Sequence, residues 1–289
     1  MKGRLPPWFN QRIADPAQVL PVKGLLDGLS LHTVCESALC PNLGGCFSRG
    51  TATFLILGNT CTRHCTFCAV NKGSPPPLDK EEPHHLLEAV EKLDLKYVVI
   101  TSVTRDDLPD GGAAHFAETV RLIHENRPET KVEVLIPDFR GSIEAIKAVV
   151  GARPDVLNHN IETVPRLYPE VRPQADYQRS IELLATARKL NSTIITKSGL
   201  MLGLGESQDE VLAVMRDLRE AACDLLTIGQ YLQPSPQHHP IIRFVPPEEF
   251  SEYEDIGQGM GFAAVASAPL VRSSFRAAEL FGKVRSPAD

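Results

Sequence analysis

No stretch of 18 apolar residues occurs anywhere in the 289-residue chain, which leaves no candidate for an ordinary transmembrane helix. The first twelve residues, with Pro6, Pro7 and Trp8 among three basic side chains, hold no apolar signal core. A basic field is missing too. The formal net charge is -6, so nothing drives the chain onto a phosphate backbone, and nucleic acid is a poor partner. The glycine run from Gly199 to Gly205 lacks GxGxxG and follows a late strand candidate rather than the first, so no dinucleotide loop is indicated. No Ser-His-Asp or Cys-His order is needed to explain any part of the chain. With 43% hydrophobic and 23% charged residues, the composition is that of a globular protein with a substantial core. The expectation is a soluble, cytoplasmic protein.

Cysteine is present and clustered. Of seven cysteines, six lie between Cys35 and Cys68 and one, Cys223, stands alone on an apolar stretch, where it reads as a small buried hydrophobe. Disulfide scaffolds belong to short secreted chains that cannot build a core. Clustered thiols in a chain of this size point to metal instead.

From about residue 52 the chain alternates short apolar, β-branched runs with longer amphipathic stretches, the pattern of parallel strands joined by crossover helices. Strands are expected at Ala52 to Leu57, Tyr97 to Thr101, Lys131 to Ile136, Val156 to Asn160, Thr193 to Lys197 and Leu225 to Ile228, with a weaker one at Ala263 to Ala266. Val211, Met215, Leu218 and Ala222 recur at helical spacing, and Ser207 with Glu210 forms a capping box ahead of them. Asp79 with Glu82 repeats the device before Leu86 and Leu87. The fold class is α/β: a partial TIM-like (β/α)6 barrel at 51–233, with an N-terminal extension at 1–50 and a C-terminal one at 234–289. A doubly wound open sheet is the alternative, since spacing alone does not distinguish closure from openness.

Barrel chemistry gathers at the carboxyl ends of the strands. There the sequence offers Cys61; Thr101, Ser102, Arg105 and Asp106; Asp138; Asn160, Glu162 and Thr163; Lys197 and Ser198; and Gln230. His238 and His239, in a proline-rich loop, read as solvated side chains rather than ligands.

Cys61-Thr-Arg-His-Cys65-Thr-Phe-Cys68 sets three thiolates on one loop directly after a strand. A closed zinc site needs four protein ligands, for which His64 could be offered. Three thiolates suit three corners of a cubane cluster and leave one iron open. Cys35, Cys40 and Cys46 form a second three-thiol set at a different spacing, in a Gly- and Pro-containing segment before the barrel. Zinc with a distant fourth ligand is the competing reading there.

The CxxxCxxC loop resembles that of the radical S-adenosylmethionine superfamily, and the resemblance narrows to the lipoyl synthase family. It runs through Leu5 to Phe9, Cys35 to Gly44, Gly50 to Gly58, Cys61 to Val70, Thr101 to Gly112, Asn158 to Thr163, Lys197 to Glu206, Gln230 to Ser235 and Arg272 to Phe275. The resemblance implies two 4Fe-4S clusters. Cys61, Cys65 and Cys68 would hold one, whose open iron binds S-adenosylmethionine and cleaves it to a 5'-deoxyadenosyl radical. Cys35, Cys40, Cys46 and Ser274 would hold an auxiliary cluster consumed as sulfur donor. It also implies that Phe67 packs near the adenine, that Thr101, Ser102 and the loop to Gly112 hold the methionine moiety, and that Asn160, Glu162, Lys197 and Met201 contact the cofactor. The Gly199–Gly205 run reads equally as a backbone contact to adenine or as a plain tight turn. Phe275, Phe47 and Asn59 stand where the family usually has Tyr, Trp and Asp; none of these changes removes a ligand.

The activity implied is that of a sulfurtransferase inserting two sulfur atoms at C6 and C8 of a protein-bound octanoyl-lysine. The partners implied are an octanoylated lipoyl carrier domain (the glycine cleavage H protein or a 2-oxoacid dehydrogenase E2) and a low-potential donor such as ferredoxin or flavodoxin, with the chain acting as a monomer. A methylthiolating or biotin-synthase-like radical enzyme is one rival; a two-cluster electron carrier or zinc-stabilised binding module is another.

Overall fold

The β-branched runs become strands. A computed structural model describes residues 5–10, 15–49 and 52–285; the expected boundary between residues 50 and 51, and parts of the two terminal extensions, lie outside the described residues. The main sheet orders its strands β1 (His32–Thr33), β2 (Thr53–Ile56), β3 (Tyr97–Ser102), β4 (Lys131–Leu135), β5 (Val156–Asn158), β6 (Ile195–Leu202), β7 (Leu225–Gln230) and β8 (Ala264–Ser267). Only β1 is antiparallel to its neighbour. From β2 to β8 every adjacent pair is parallel.

Strand order therefore follows sequence order without reversal. A doubly wound sheet must reverse at a switch point, so that alternative is set aside and the partial barrel stands. The weak seventh candidate is a full member: Ala264 to Ser267 pair with Leu225 to Ile228. Helices between the strands cover the outer face, and one contiguous core runs from Val22 to Val265. Among the described residues no helix is long and apolar enough to cross a membrane.

The capping box at Ser207 and Glu210 forms as expected. The one at Asp79 and Glu82 does not: the helix Glu82–Lys92 has Glu81 at its N-cap with no side-chain bond. Glu82 is turned inward. Its carboxylate accepts from the amides of Leu57 (2.7 Å) and Gly58 (3.4 Å) and from His115 Nε2 (2.7 Å). A strand end buried under a helix leaves amide donors without partners, and satisfying them outweighs a surface cap.

The amino ends of the strands are covered by the C-terminal helix Ala277–Arg285. Leu280 packs on Leu225 and Ala264, and Phe281 lies 5.6 Å from the Tyr97 ring. The two extensions also meet, since Asn42 Nδ2 donates to Leu270 O at 2.7 Å.

Candidate functional site

The chain leaves β2 through Leu57 and Gly58, both left-handed, and enters the loop that carries Cys61, Cys65 and Cys68. A buried cation locks this loop. Arg63 binds Asp106 through Nε (2.7 Å) and Nη2 (3.0 Å), and reaches Asp138 at 2.5 Å. Burial alone would weaken the guanidinium charge, but the two carboxylates more than offset it and hold its pKa above the ordinary value. Asp138 is likewise held down to about 2, Arg63 overcoming the opposing effect of burial.

Further bonds fix the loop on all sides. Thr62 N donates to Thr104 O, Asp106 N to Thr62 Oγ1, and Thr66 N to Val171 O. The amides of Arg63 and Thr104 point at Cys61 Sγ from 3.4 and 3.3 Å, contacts that suit a thiolate ligand. Burial pushes the Cys68 thiol up to about 12 and raises that of Cys65. Binding a cluster therefore releases protons, as thiolate ligation requires. His64 is exposed, with its ring nitrogen beside Gln174.

Opposite this loop stands Arg172, whose Nη1 donates to Asn160 O (3.0 Å), Ile161 O (2.9 Å) and the Tyr168 hydroxyl (3.1 Å). Its charge acts on both Cys65 and Glu162. Glu162 is non-glycine yet left-handed at φ 66, a conformation that persists only where surroundings enforce it. Burial raises its pKa, with Arg172 and Asn160 opposing. Asn160 Nδ2 donates to Glu162 Oε1 at 2.9 Å, and Ser102 Oγ at the end of β3 is buried without a partner. The Glu162 carboxylate, held by Asn160, thus lies within electrostatic reach of Cys65 and Cys68.

The second thiol set lies at the other end of the sheet. Cys35 sits in a short helix capped by Thr33 Oγ1, Cys40 N donates to Cys35 O at 2.9 Å, and Cys46 lies in the helix Leu43–Phe47. Burial pushes Cys35 up to about 11. Cys35, Cys40, Cys46 and Ser274 line one cavity of about 390 Å³, together with Arg272, Phe275, Thr53 and Tyr97. Thr53 and Tyr97 begin their strands, so this cavity is at the amino ends, whereas Cys61 follows the carboxyl end of β2. A larger hollow of about 720 Å³, among Lys147, Arg153, Asn191 and Ile195, holds none of the cysteines.

Among the described residues no three His, Cys, Asp or Glu side chains converge tightly enough to hold a single metal ion. A cubane makes no such demand, because its irons present separate corners to separate thiolates. Cys61 and Cys65 each lie within electrostatic reach of Cys68, so the loop offers three separate soft donors of the kind such corners take.

Residues 55–218 match the Radical SAM superfamily model. The lipoyl synthase of Caldicellulosiruptor saccharolyticus is 57% identical over 279 residues, covering 96% of this chain and 98% of that protein. That of Aquifex aeolicus is 56% identical over 263 residues, covering 91% and 95%. The chain belongs to the lipoyl synthase family. Solved structures agree on the fold: HydG, a maturase of the [FeFe]-hydrogenase, aligns with TM-score 0.55 at 15% identity over 86% of this chain and 62% of its own. Methylornithine synthase aligns with TM-score 0.50 at 16% identity over 77% and 67%.

Within this lipoyl synthase fold, Glu162 and its partner Asn160 lie near Cys65 and Cys68, and Ser102 ends β3 beside Ile56 of β2. Lys197 does not join them. Strand β6 runs on to Leu202, so Lys197 lies near its start, fully buried, with Nζ 2.8 Å from Glu133 Oε1. Glu133 also accepts from Asn158 Nδ2 (3.1 Å) and Tyr97 OH (2.7 Å). The ammonium is committed to that network, which corrects its expected contact with the cofactor. The Thr101 hydroxyl is also engaged, donating to Leu135 O at 3.0 Å. Met201 and Phe67 are half-buried beside the core.

The Gly199–Gly205 segment is a packed turn: Glu206 takes the amides of Gly203 (2.6 Å) and Leu204 (2.9 Å). Gln230 is a cross-link, bonded to Leu202 O, Tyr231 O, Arg243 O and Val245 N. His238 and His239 are not merely solvated. His238 Nε2 lies 3.1 Å from Cys68 O, and His239 N donates to Thr66 O at 2.9 Å, so this loop straps the cysteine loop from outside. The sequence signal for Arg63 lay inside the motif itself. Arg172 left none.

Proposed function

We propose that the chain inserts two sulfur atoms at C6 and C8 of an octanoyl group on a lysine of a lipoyl carrier domain. Supporting this reading is one observation above others: two three-thiol sets stand at opposite ends of one barrel, and the set at the amino ends shares its cavity with Ser274. Cys61, Cys65 and Cys68 would hold the first 4Fe-4S cluster, and Asn160, Glu162 and Ser102 would face S-adenosylmethionine. When bound, these groups supply one-electron cleavage of a sulfonium and hence a hydrogen-abstracting radical.

The chain's own residues hold that chemistry in place. Arg63, Asp106 and Asp138 fix the thiol loop, and the amides on Cys61 Sγ stabilise thiolate charge. At the amino ends, Cys35, Cys40, Cys46 and Ser274 would hold the auxiliary cluster, which serves as sulfur substrate. A hard serine oxygen is the weakest match to iron among these four donors, so that corner opens first. β2 and β3 set the spacing between the two sites; four and six residues at about 3.3 Å each is roughly 13–20 Å. The segments 1–50, 51–233 and 234–289 then divide by role: auxiliary thiols, radical core, and closing helix with serine.

The partners on this reading are the H protein or an E2 carrier domain, with ferredoxin or flavodoxin as reductant and the chain acting as a monomer in the cytoplasm. An anaerobic assay with an octanoyl-lysine peptide tests it. The expected result is lipoyl peptide by mass and about eight iron and eight sulfide per chain from two cubanes; two zinc without sulfide would end the reading.

A further inference from the structure

The segment Val271–Ala277 crosses the sheet on two glycines. A Cβ on Gly199 would stand 2.8 Å from Asn160 Oδ1 and Thr227 Oγ1 and 3.0 Å from Ser273 Oγ, and one on Gly229 would overlap the Val271 carbonyl oxygen outright. Only there can the segment lie so close to β6 and β7. Ser273 Oγ donates to Asn160 Oδ1 at 2.9 Å, tying it to the cofactor pocket, while Ser274 faces the thiols of the auxiliary cavity.

Between these two serine contacts and their sites sits Arg272. Its Nη1 donates to its neighbour's carbonyl, Val271 O, at 2.7 Å. Among the described residues no carboxylate lies within ion-pair distance of it; the salt bridges of this protein all involve other cations. Its guanidinium lines the cavity of Cys35, Cys40 and Cys46 and is felt by two acidic groups, Cys40 on that side and Glu162 on the other. The buried Arg63 and Arg105 pair with carboxylates, and Arg172 donates through Nη1 to three acceptors, whereas the half-buried Arg272 meets one carbonyl. A partly buried cation without a counter-charge still loses hydration that nothing replaces. A cubane held by three thiolates and a serine oxygen is anionic and would supply that counter-charge.

Resting on the auxiliary-cluster reading, we propose that Arg272 is the positioning counter-charge of that cluster: its guanidinium neutralises the anionic cubane in the closed cavity and raises the cluster's reduction potential. A positive charge beside a cluster favours its reduced form, since charge and hydrogen bonding around the sulfurs set the potential. The same attraction slows loss of the cluster from a site with one weak ligand. Because Ser273 binds Asn160, the segment that carries this charge is anchored to the cofactor pocket as well.

The test uses the full chain with Cys61, Cys65 and Cys68 changed to Ala, so that only the auxiliary site can load. Three proteins are compared after anaerobic reconstitution: this parent, and the parent with Arg272→Gln or Arg272→Lys. Iron and sulfide content, midpoint potential and the rate of cluster loss to a chelator are read, with apoprotein thermal unfolding as a check of fold. The expected result is about four iron and four sulfide in the parent, a more negative potential and several-fold faster loss in the Gln variant, and recovery of most of both in the Lys variant. A Gln variant that matches the parent in potential and retention overturns the inference. So does a Lys variant that fails along with Gln, whether in loading or in potential, because the role is then shape rather than charge. A parent that binds no iron and sulfide overturns the auxiliary-cluster reading and the inference with it.

Discussion

Substituting Gly229 by Ala separates the two sites without touching a ligand. The new Cβ would overlap Val271 O and stand 3.0 Å from the Val271 carbonyl carbon, so one backbone must recede by about 1 Å to restore an ordinary C···O separation near 3.3 Å. β7 cannot easily move. Gly229 is registered against Met201 of β6, in a strand flanked by β6 and β8. The 271–277 segment moves instead, and with it Ser274, three residues on. Overpacking of this kind costs about 1–3 kcal/mol, which at about 1.4 kcal/mol per factor of ten lowers occupancy of the native segment position by roughly 5- to 150-fold. The expected outcome is sulfide falling from about eight towards about four per chain after anaerobic reconstitution, with lipoyl formation lost. Cleavage of S-adenosylmethionine persists, because the Cys61 loop is anchored by Arg63 elsewhere, but with weaker binding of the cofactor as Ser273 withdraws from Asn160. Gly259→Ala, where a Cβ meets nothing within 4 Å, is the control and should behave as the parent. Full sulfide content with parental lipoyl formation in Gly229→Ala would refute the reasoning.

Three further outcomes follow from the geometry. Arg63→Gln leaves Asp138 buried with Arg179 at 3.2 Å as its remaining ion pair, beside the Arg140 amide at 3.1 Å; breaking such a pair costs about 3–5 kcal/mol, and 5'-deoxyadenosine formation should vanish while about four iron remain at the proposed auxiliary site, as iron analysis will show. Lys197→Met strands Glu133 in the core and should lower thermal stability by a similar amount, whereas pairing it with Glu133→Leu should restore most of it; a single variant that unfolds normally but binds S-adenosylmethionine weakly would reinstate Lys197 as a cofactor contact. His159 is buried, its Nδ1 bonded to Ile136 O and its Nε2 unpartnered, and burial first, then Arg172, depresses its pKa from 6.5 to about 4. The unfolded chain therefore takes up the proton first: apoprotein stability from urea unfolding should be level above pH 6.5 and fall by up to about 3 kcal/mol towards pH 4, at about 1.4 kcal/mol per unit. His159→Phe should flatten that slope.

Much of this architecture is written locally. The β-branched runs at Tyr97, Lys131 and Leu225 place their strands to within a residue or two, because parallel strands buried on both faces need continuous apolar sequence. Ser207 and Glu210 form their box because nothing nearby competes for them. Other features depend on partners remote in sequence. Lys197 reads as a polar strand end, yet Glu133, 64 residues earlier, draws it into the core and lets β6 continue through Gly199. Glu82 reads as a cap until the fold brings Leu57 N and His115 against it. His238 reads as solvated because its acceptor, Cys68 O, lies 170 residues away. The cavity of Cys35, Cys40, Cys46 and Ser274 was legible as residue types but not as a place: barrel chemistry is sought at carboxyl ends, and this cavity lies at amino ends, where the two extensions meet the starts of β2 and β3. Arg272 left no signal beyond its neighbourhood to Ser274.

Division of labour between the two thiol sets is tested most directly by comparing Cys61→Ala with Cys35→Ala under anaerobic turnover with an octanoyl-lysine peptide, measuring 5'-deoxyadenosine and lipoyl peptide in the same samples. Cys61→Ala should form neither product. Cys35→Ala should still form 5'-deoxyadenosine while forming no lipoyl peptide; equal loss of 5'-deoxyadenosine in both variants would contradict two sites with separate roles.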